Sequence, residues 1–194
     1  MERTVEIKDI ISESIKIKNL ILNDKEILSA IDEVISVLLE AIKSKNKLIL
    51  AGNGGSAADA QHTAAEFVSR FYIDRPGIPA IALTTDTSII TSIGNDYDFS
   101  KIFSRQLESI GSHGDVLIAI STSGNSPNII NALEEAKKMG IITVGLTGFD
   151  GGKMIKFCDY CICIPSKDTP RIQESHIVIE HILCAVIEKE LFEK

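Results

Sequence analysis

Ser121, Thr122, Ser123 and Ser126 crowd into one short run, Ile120-Ser121-Thr122-Ser123-Gly124-Asn125-Ser126-Pro127. The apolar stretch Asp115–Ile120 before it reads as a buried strand, and Asn128–Met139 after it reads as a helix. Ser126 suits the N-cap and Pro127 the first helical position, where a missing N–H costs nothing. A hydroxyl-rich turn of this kind leaves backbone N–H groups unpaired beside the positive end of a helix dipole. That is an anion cradle, and the guest it suits is a phosphate. No lysine stands between Asp115 and Lys137, so backbone and hydroxyls must hold the anion.

Four further groups could do chemistry. Gly52-Asn53-Gly54-Gly55-Ser56 matches neither a Walker loop nor a dinucleotide fingerprint, and reads as a tight turn before a helix or as a ligand loop. His62 and Glu66 lie on one helix face, as an ion pair, a metal-binding pair or a proton-transfer pair. Asn95-Asp96 suits a cap, a turn or a ligand contact. The final segment opens Arg171-Ile172-Gln173-Glu174 and carries His176 and His181 among apolar residues; His181 reads as a core histidine or a functional one. Spacing alone pairs His181 with Glu174, because Gln173 lies about 80° away around an ideal helix.

The elements that must position these residues follow from periodicity. Two amphipathic helices come first, at about Val5–Leu22 and Lys25–Ser44, with wide apolar stripes. Strands are expected at Lys47–Ala51, Pro79–Leu83, Asp115–Ile120, Ile142–Leu146 and Tyr160–Ile164. Helices are expected at Ser56–Arg70, Thr87–Ile93, Ser100–Ile110, Asn128–Met139 and about Arg171–Glu193. Short apolar strands alternating with helices make an α/β fold, three layers around a five-stranded parallel sheet. The flavodoxin-like order 2-1-3-4-5 puts the ligand crevice between strands 1 and 3. The two loops richest in glycine and serine then sit side by side.

With 194 residues, 44% hydrophobic, the chain suits one domain, residues 1–194, in which 1–44 is a helical pair for packing and oligomerisation. A net charge of −7 argues against nucleic acid and anionic membranes as partners, and leaves a small phosphorylated molecule for the anion cradle. The start, Met1-Glu2-Arg3-Thr4, lacks a signal peptide's apolar core, and no run is long enough to span a bilayer, so a cytoplasmic location is expected. Cys158, Cys161 and Cys163 match a CxxC spacing, yet the strand pattern puts Cys161 and Cys163 on one face as small hydrophobes; packing is favoured over metal or redox chemistry. Cys184 reads the same way.

Gly-Asn-Gly-Gly-Ser-Ala-Ala-Asp-Ala-Gln-His, Gly-Asn-Asp, Ile-Ser-Thr-Ser-Gly-Asn-Ser and Arg-Ile-Gln-Glu-x-His occur here in this order. Together they resemble the phosphoheptose isomerases of the sugar isomerase (SIS) domain family, almost end to end. The resemblance implies interconversion of sedoheptulose 7-phosphate and glycero-manno-heptose 7-phosphate, the first step toward the heptose of lipopolysaccharide and related glycans. It implies a homotetramer with active sites shared between subunits. Ser121, Thr122, Ser123 and Ser126 would bind phosphate, and Asn53, Gly54, Gly55, Ser56, Asn95, Asp96 and Gln173 would contact substrate. One zinc ion per subunit would be held by His62, Glu66, Gln173 and His181. Some members carry Asp where this chain has Pro170, so any substrate contact made by that carboxylate is lost here.

Aldose–ketose isomerisation fits these residue types. It moves one proton between adjacent carbons and another between their oxygens, which needs acid–base groups and something electrophilic at the carbonyl. Glu66 and His181 are expected as the acid–base pair, with Glu66 the proton carrier; both are also named as zinc ligands, and the two roles compete, because a residue that ligates metal throughout cannot freely shuttle protons. Some relatives of this kind are non-catalytic scaffolds, one a partner of the bacterial replication initiator; such a scaffold has no need of all four residues His62, Glu66, Gln173 and His181.

Overall fold

The computed structural model describes residues 2–193; Met1 and Lys194, the ends of the expected domain, lie outside the described residues. Helix α1 (Glu2–Asn23) meets α2 (Lys25–Lys43) at Asp24, whose carboxylate accepts the Glu26 and Ile27 N–H groups and so caps α2. The elements then alternate: β1 (Leu48–Gly52), α3 (Gly55–Val68), β2 (Ala80–Ala82), α4 (Thr87–Asp96), α5 (Ser104–Ile110), β3 (Val116–Ser121), α6 (Pro127–Lys138), β4 (Ile142–Gly148), β5 (Tyr160–Ile164) and α7 (Thr169–Phe192). Turns of 3-10 helix lie at Phe99–Lys101 and Met154–Phe157.

All five strands are parallel, in the expected order β2-β1-β3-β4-β5. β1 and β3 are buried along their whole length, which is why they read as unbroken apolar runs. Their alternate side chains feed two cores. Leu48, Leu50, Val116, Ile118 and Ile120 pack with residues of α2, α3 and α7 on one face. Ile49, Ala51, Leu117 and Ala119 pack with residues of α5 and α6 on the other. α2 buries Val34 and Leu38 completely, whereas α1 leaves Val5, Ile7, Ile10, Ile11 and Ile15 exposed.

Three local expectations change. The continuous helix expected over Ser100–Ile110 divides, because Ile102 and Phe103 turn into the core between a 3-10 turn capped by Asp98 and the start of α5. The helix expected over Thr87–Ile93 runs on to Asp96, so that Asn95 and Asp96 form its last turn. Ser126 occupies the N-cap of α6 with Pro127 behind it, but its hydroxyl makes no capping bond and pairs instead with Ser121 Oγ at 3.1 Å.

The cysteines are all unbridged. Cys161 and Cys163 share a strand face with their sulfurs 3.9 Å apart, in keeping with a packing role. The neighbouring Cys158 side chain, with burial, pushes the Cys161 thiol up to about 12, opposed by Cys163.

His176 on α7 ties that helix to the sheet. Its Nε2–H donates to the Thr147 carbonyl at 3.1 Å, and its buried Nδ1 finds no partner. Burial drives its pKa down to about 4, against the opposing pull of the Thr147 bond. The unfolded chain therefore binds a proton below about pH 6.5 that the folded chain refuses until about pH 4. Stability is expected to fall by about 2 kcal/mol between pH 7 and pH 5 from this residue. Denaturant titrations at the two pH values should show that loss, and His176→Phe should remove most of it.

Candidate active site

The expected juxtaposition of two polar corners is present. β1 and β3 are neighbours with Gly52 in register with Ile120, so the loops that leave them emerge together at the carboxyl edge of the sheet. Their helices are stitched by a reciprocal amide pair: Asn53 Nδ2 donates to Asn128 Oδ1 at 2.9 Å, and Asn128 Nδ2 returns a bond to Asn53 Oδ1 at 2.8 Å. Asn128 is buried, and sequence spacing gave no sign of it, because its partner is 75 residues away.

The serine turn is held open by packing from the next loop. Gly124 has φ +63°, and a Cβ there would lie 2.1 Å from the Gly151 carbonyl oxygen, so only glycine fits. Its N–H bonds back to the Ser121 carbonyl and its own carbonyl accepts from Met154 N, closing the loop on itself. Among the described residues the N–H groups of Thr122, Ser123 and Ser126 find no protein acceptor. Together with the paired Ser121 and Ser126 hydroxyls they form a donor-rich concavity at the start of α6, suited to an anion. A cleft of about 240 Å³ adjoins it, lined by Thr122, Ser123, Gly148, Lys167 and Thr169 among others. A larger depression of about 890 Å³ lies between α1 and α2, away from all of these residues.

The second half of the site is the seam where α3 and α7 run side by side. Gly55, the first residue of α3, lies against Gln173 in the first turn of α7: a Cβ at Gly55 would sit 2.5 Å from Gln173 Nε2. Two helical turns further along, His62 and His181 face each other with Nε2 atoms 3.0 Å apart and ring centroids 5.2 Å apart. Glu66 Oε1 stands 3.5 Å from His62 Nε2. Both rings are partly open to solvent, so His181 is not a sealed core residue. Glu174, the residue that spacing pairs with His181, turns away to Ser14 of α1 and to Arg171.

Behind the seam lies a buried oxygen-rich layer that sequence reading missed. Glu180 is fully buried, and among the described residues neither of its carboxyl oxygens, nor Asp59 Oδ2, nor the Thr63 hydroxyl, has a hydrogen-bond partner. Burial first, and then the Asp59 carboxylate beside it, pushes Glu180 up to about 8. Burial also raises Asp59, against the opposing influence of His62.

The donor set fits zinc in kind, and in spacing pair by pair around His62. Two imidazole nitrogens and a carboxylate oxygen are ordinary zinc ligands, and tetrahedral bonds of about 2.0–2.1 Å put ligand atoms roughly 3.3 Å apart. The separations of 3.0 Å and 3.5 Å around His62 bracket that value. Among the described residues no three His, Cys, Asp or Glu side chains form a finished metal cage, so the trio meets pairwise. Gln173 is not part of that cluster within one chain, since eight residues of helix separate it from His181 by about 12 Å. Asn95 and Asp96 also stay apart: they are exposed, and Asn95 Nδ2 bonds its neighbour's Oδ1, at 2.8 Å.

Comparison with known proteins agrees with this geometry. The SIS domain family model matches residues 15–148. The chain is 62% identical over 186 residues to a phosphoheptose isomerase of Aneurinibacillus thermoaerophilus, covering 96% of this chain and 94% of that one. It is 57% identical over 188 residues to phosphoheptose isomerase 2 of Campylobacter jejuni subsp. jejuni, covering 97% and 94%. A solved phosphoheptose isomerase from Neisseria gonorrhoeae superposes with a TM-score of 0.90 at 39% identity, covering 96% of this chain and 98% of that one. The chain belongs to the SIS domain family and, within it, to the phosphoheptose isomerases.

Proposed function

We propose that this protein interconverts sedoheptulose 7-phosphate and glycero-manno-heptose 7-phosphate by proton transfer through an enediol. The observation that carries the reading is that one chain holds both halves of such a site: a donor-rich anion turn beside the Asn53–Asn128 stitch, and an imidazole–carboxylate cluster two helical turns along the α3–α7 seam. Ser121, Thr122, Ser123 and Ser126 bind the phosphate, far from the reacting carbons. That binding energy fixes the open chain in position for proton transfer. Asn53, Gly54, Gly55 and Ser56 line the sugar side, with Gln173 held against Gly55. Asn95 and Asp96, which stand apart from the site of their own chain, would reach the sugar only where sites are shared between subunits. Glu66 takes the proton from one carbon and returns it to the next, while His181 serves the neighbouring oxygens.

His62, Glu66 and His181 are the residues that would hold a zinc ion, which when bound polarises the substrate oxygens. Gln173, the fourth ligand that the resemblance implies, lies against Gly55 and about 12 Å along α7 from His181, so we take it to join the zinc through active sites shared between subunits. The exposed apolar stripe of α1 supports the homotetramer that this sharing needs. The protein works in the cytoplasm, on the path to the heptose of lipopolysaccharide or a related glycan; among the described residues no helix is long and apolar enough to cross a membrane.

Purified protein incubated with sedoheptulose 7-phosphate should form the aldose in a coupled assay. Metal analysis of protein prepared without chelator should give one zinc per chain, and sedimentation should give a tetramer. Absence of turnover in the zinc-loaded tetramer would leave the scaffold reading in its place.

A further inference from the structure

Glu66 and His181 sit on different helices, and one buried ion pair reaches both. The side chains of Arg75, in the loop after α3, and Glu188, on α7, are each only 2% exposed, with Nε donating to Oε2 at 3.0 Å. A buried pair persists only when its remaining donors and acceptors are also used. Here they are. Arg75 Nη2 donates to the Glu66 carbonyl at 2.9 Å, and Nη1 donates to the Phe67 carbonyl at 2.6 Å and the Pro76 carbonyl at 3.1 Å. The Glu66 and Phe67 carbonyls belong to the last turn of α3, where carbonyls lack intrahelical partners, and that turn carries no basic residue of its own. The guanidinium is therefore the missing cap on the turn that carries Glu66.

Glu188 does the complementary work. Its Oε2 accepts Phe71 N at 2.8 Å, and its Oε1 accepts Tyr72 N at 2.6 Å and Ile73 N at 2.9 Å. These bonds and Arg75 hold its carboxyl below the usual range although burial pushes the other way. The backbone so pinned places the Phe71 ring against His181, centroids 5.5 Å apart and planes inclined by 42°. Glu188 and His181 are seven residues apart and so share a face of α7.

We propose that Arg75 and Glu188 are positioning residues for the isomerase reaction: through the carbonyl of Glu66 on one side and the Phe71 ring on the other, they set the separation of Glu66 and His181. This rests on the roles given to those two residues above. A displacement of about 1 Å of such groups is enough to cost about 100-fold in rate, while the distant phosphate turn is untouched.

The test uses the full-length protein with Glu188→Gln and Phe71→Leu, the second leaving the ion pair whole. Both should lower kcat at least tenfold, at temperatures well below unfolding, with KM for sedoheptulose 7-phosphate within threefold. With ring-labelled histidine, the His181 NMR signal should move in Glu188→Gln while that of His113 stays. A purely stabilising role predicts a lower Tm with kcat and the His181 signal unchanged, and that result overturns the proposal. A rise in KM that matches the fall in kcat also overturns it. If Glu188→Gln does not fold, kcat of Phe71→Leu decides. If the unsubstituted protein does not turn over, the isomerase reading falls by itself. The His181 signal then decides alone: displaced, the clamp stands; unmoved, it is overturned.

Discussion

Glu66→Gln is expected to lower kcat by roughly 1,000-fold while leaving KM within about threefold, the range that loss of a positioned acid–base group spans. The substitution keeps the shape of the side chain and an oxygen that can still face His62, now 3.5 Å away. What it removes is the ability to accept a proton. With the phosphate assigned to the serine turn and not to residue 66, ground-state binding has no reason to change. Steady-state kinetics with calorimetric binding of the substrate separate the two quantities. Retained turnover in the variant would take Glu66 out of the reaction.

The second large effect belongs to the opposite corner. Ser121→Ala combined with Ser126→Ala should raise KM by more than about 100-fold, since each hydroxyl bond to a charged group is worth about 1.5–3 kcal/mol. The fold should tolerate the change. The Ser126 hydroxyl makes no helix-capping bond, and the two hydroxyls bond one another at 3.1 Å, so their joint loss strands no protein group. Kinetics across substrate concentrations, with Tm as the control, measure this. An unchanged KM would contradict the phosphate assignment.

Those two corners were legible in the chain for a physical reason. Buried parallel strands must be apolar throughout, so β1 and β3 announce themselves, and the polar residues that end them stand out. The expected strand order is the common flavodoxin-like one rather than one the sequence dictates; it is the order present, and Gly52 lies beside Ile120. What stayed hidden depends on partners distant in sequence. Asn128 reads as an ordinary helix residue until Asn53 is seen opposite it. Arg75 sits in a Pro-Gly loop that looks like surface, yet its guanidinium is buried against Glu188, 113 residues on. Ser126 obeys the statistics of its position but not their usual cause, because Ser121 offers its hydroxyl another partner. Gln173 could be chosen over Glu174 only from the resemblance; Glu174 bonds Ser14 of α1 and Gln173 lies against Gly55.

The most direct test of the account is a crystal structure of the Glu66→Gln variant grown with sedoheptulose 7-phosphate. The phosphate should lie within hydrogen-bond distance of the Ser121, Thr122, Ser123 and Ser126 hydroxyls, with the first two carbons of the chain between residue 66 and His181. A phosphate bound elsewhere, or carbons directed away from His181, would contradict it.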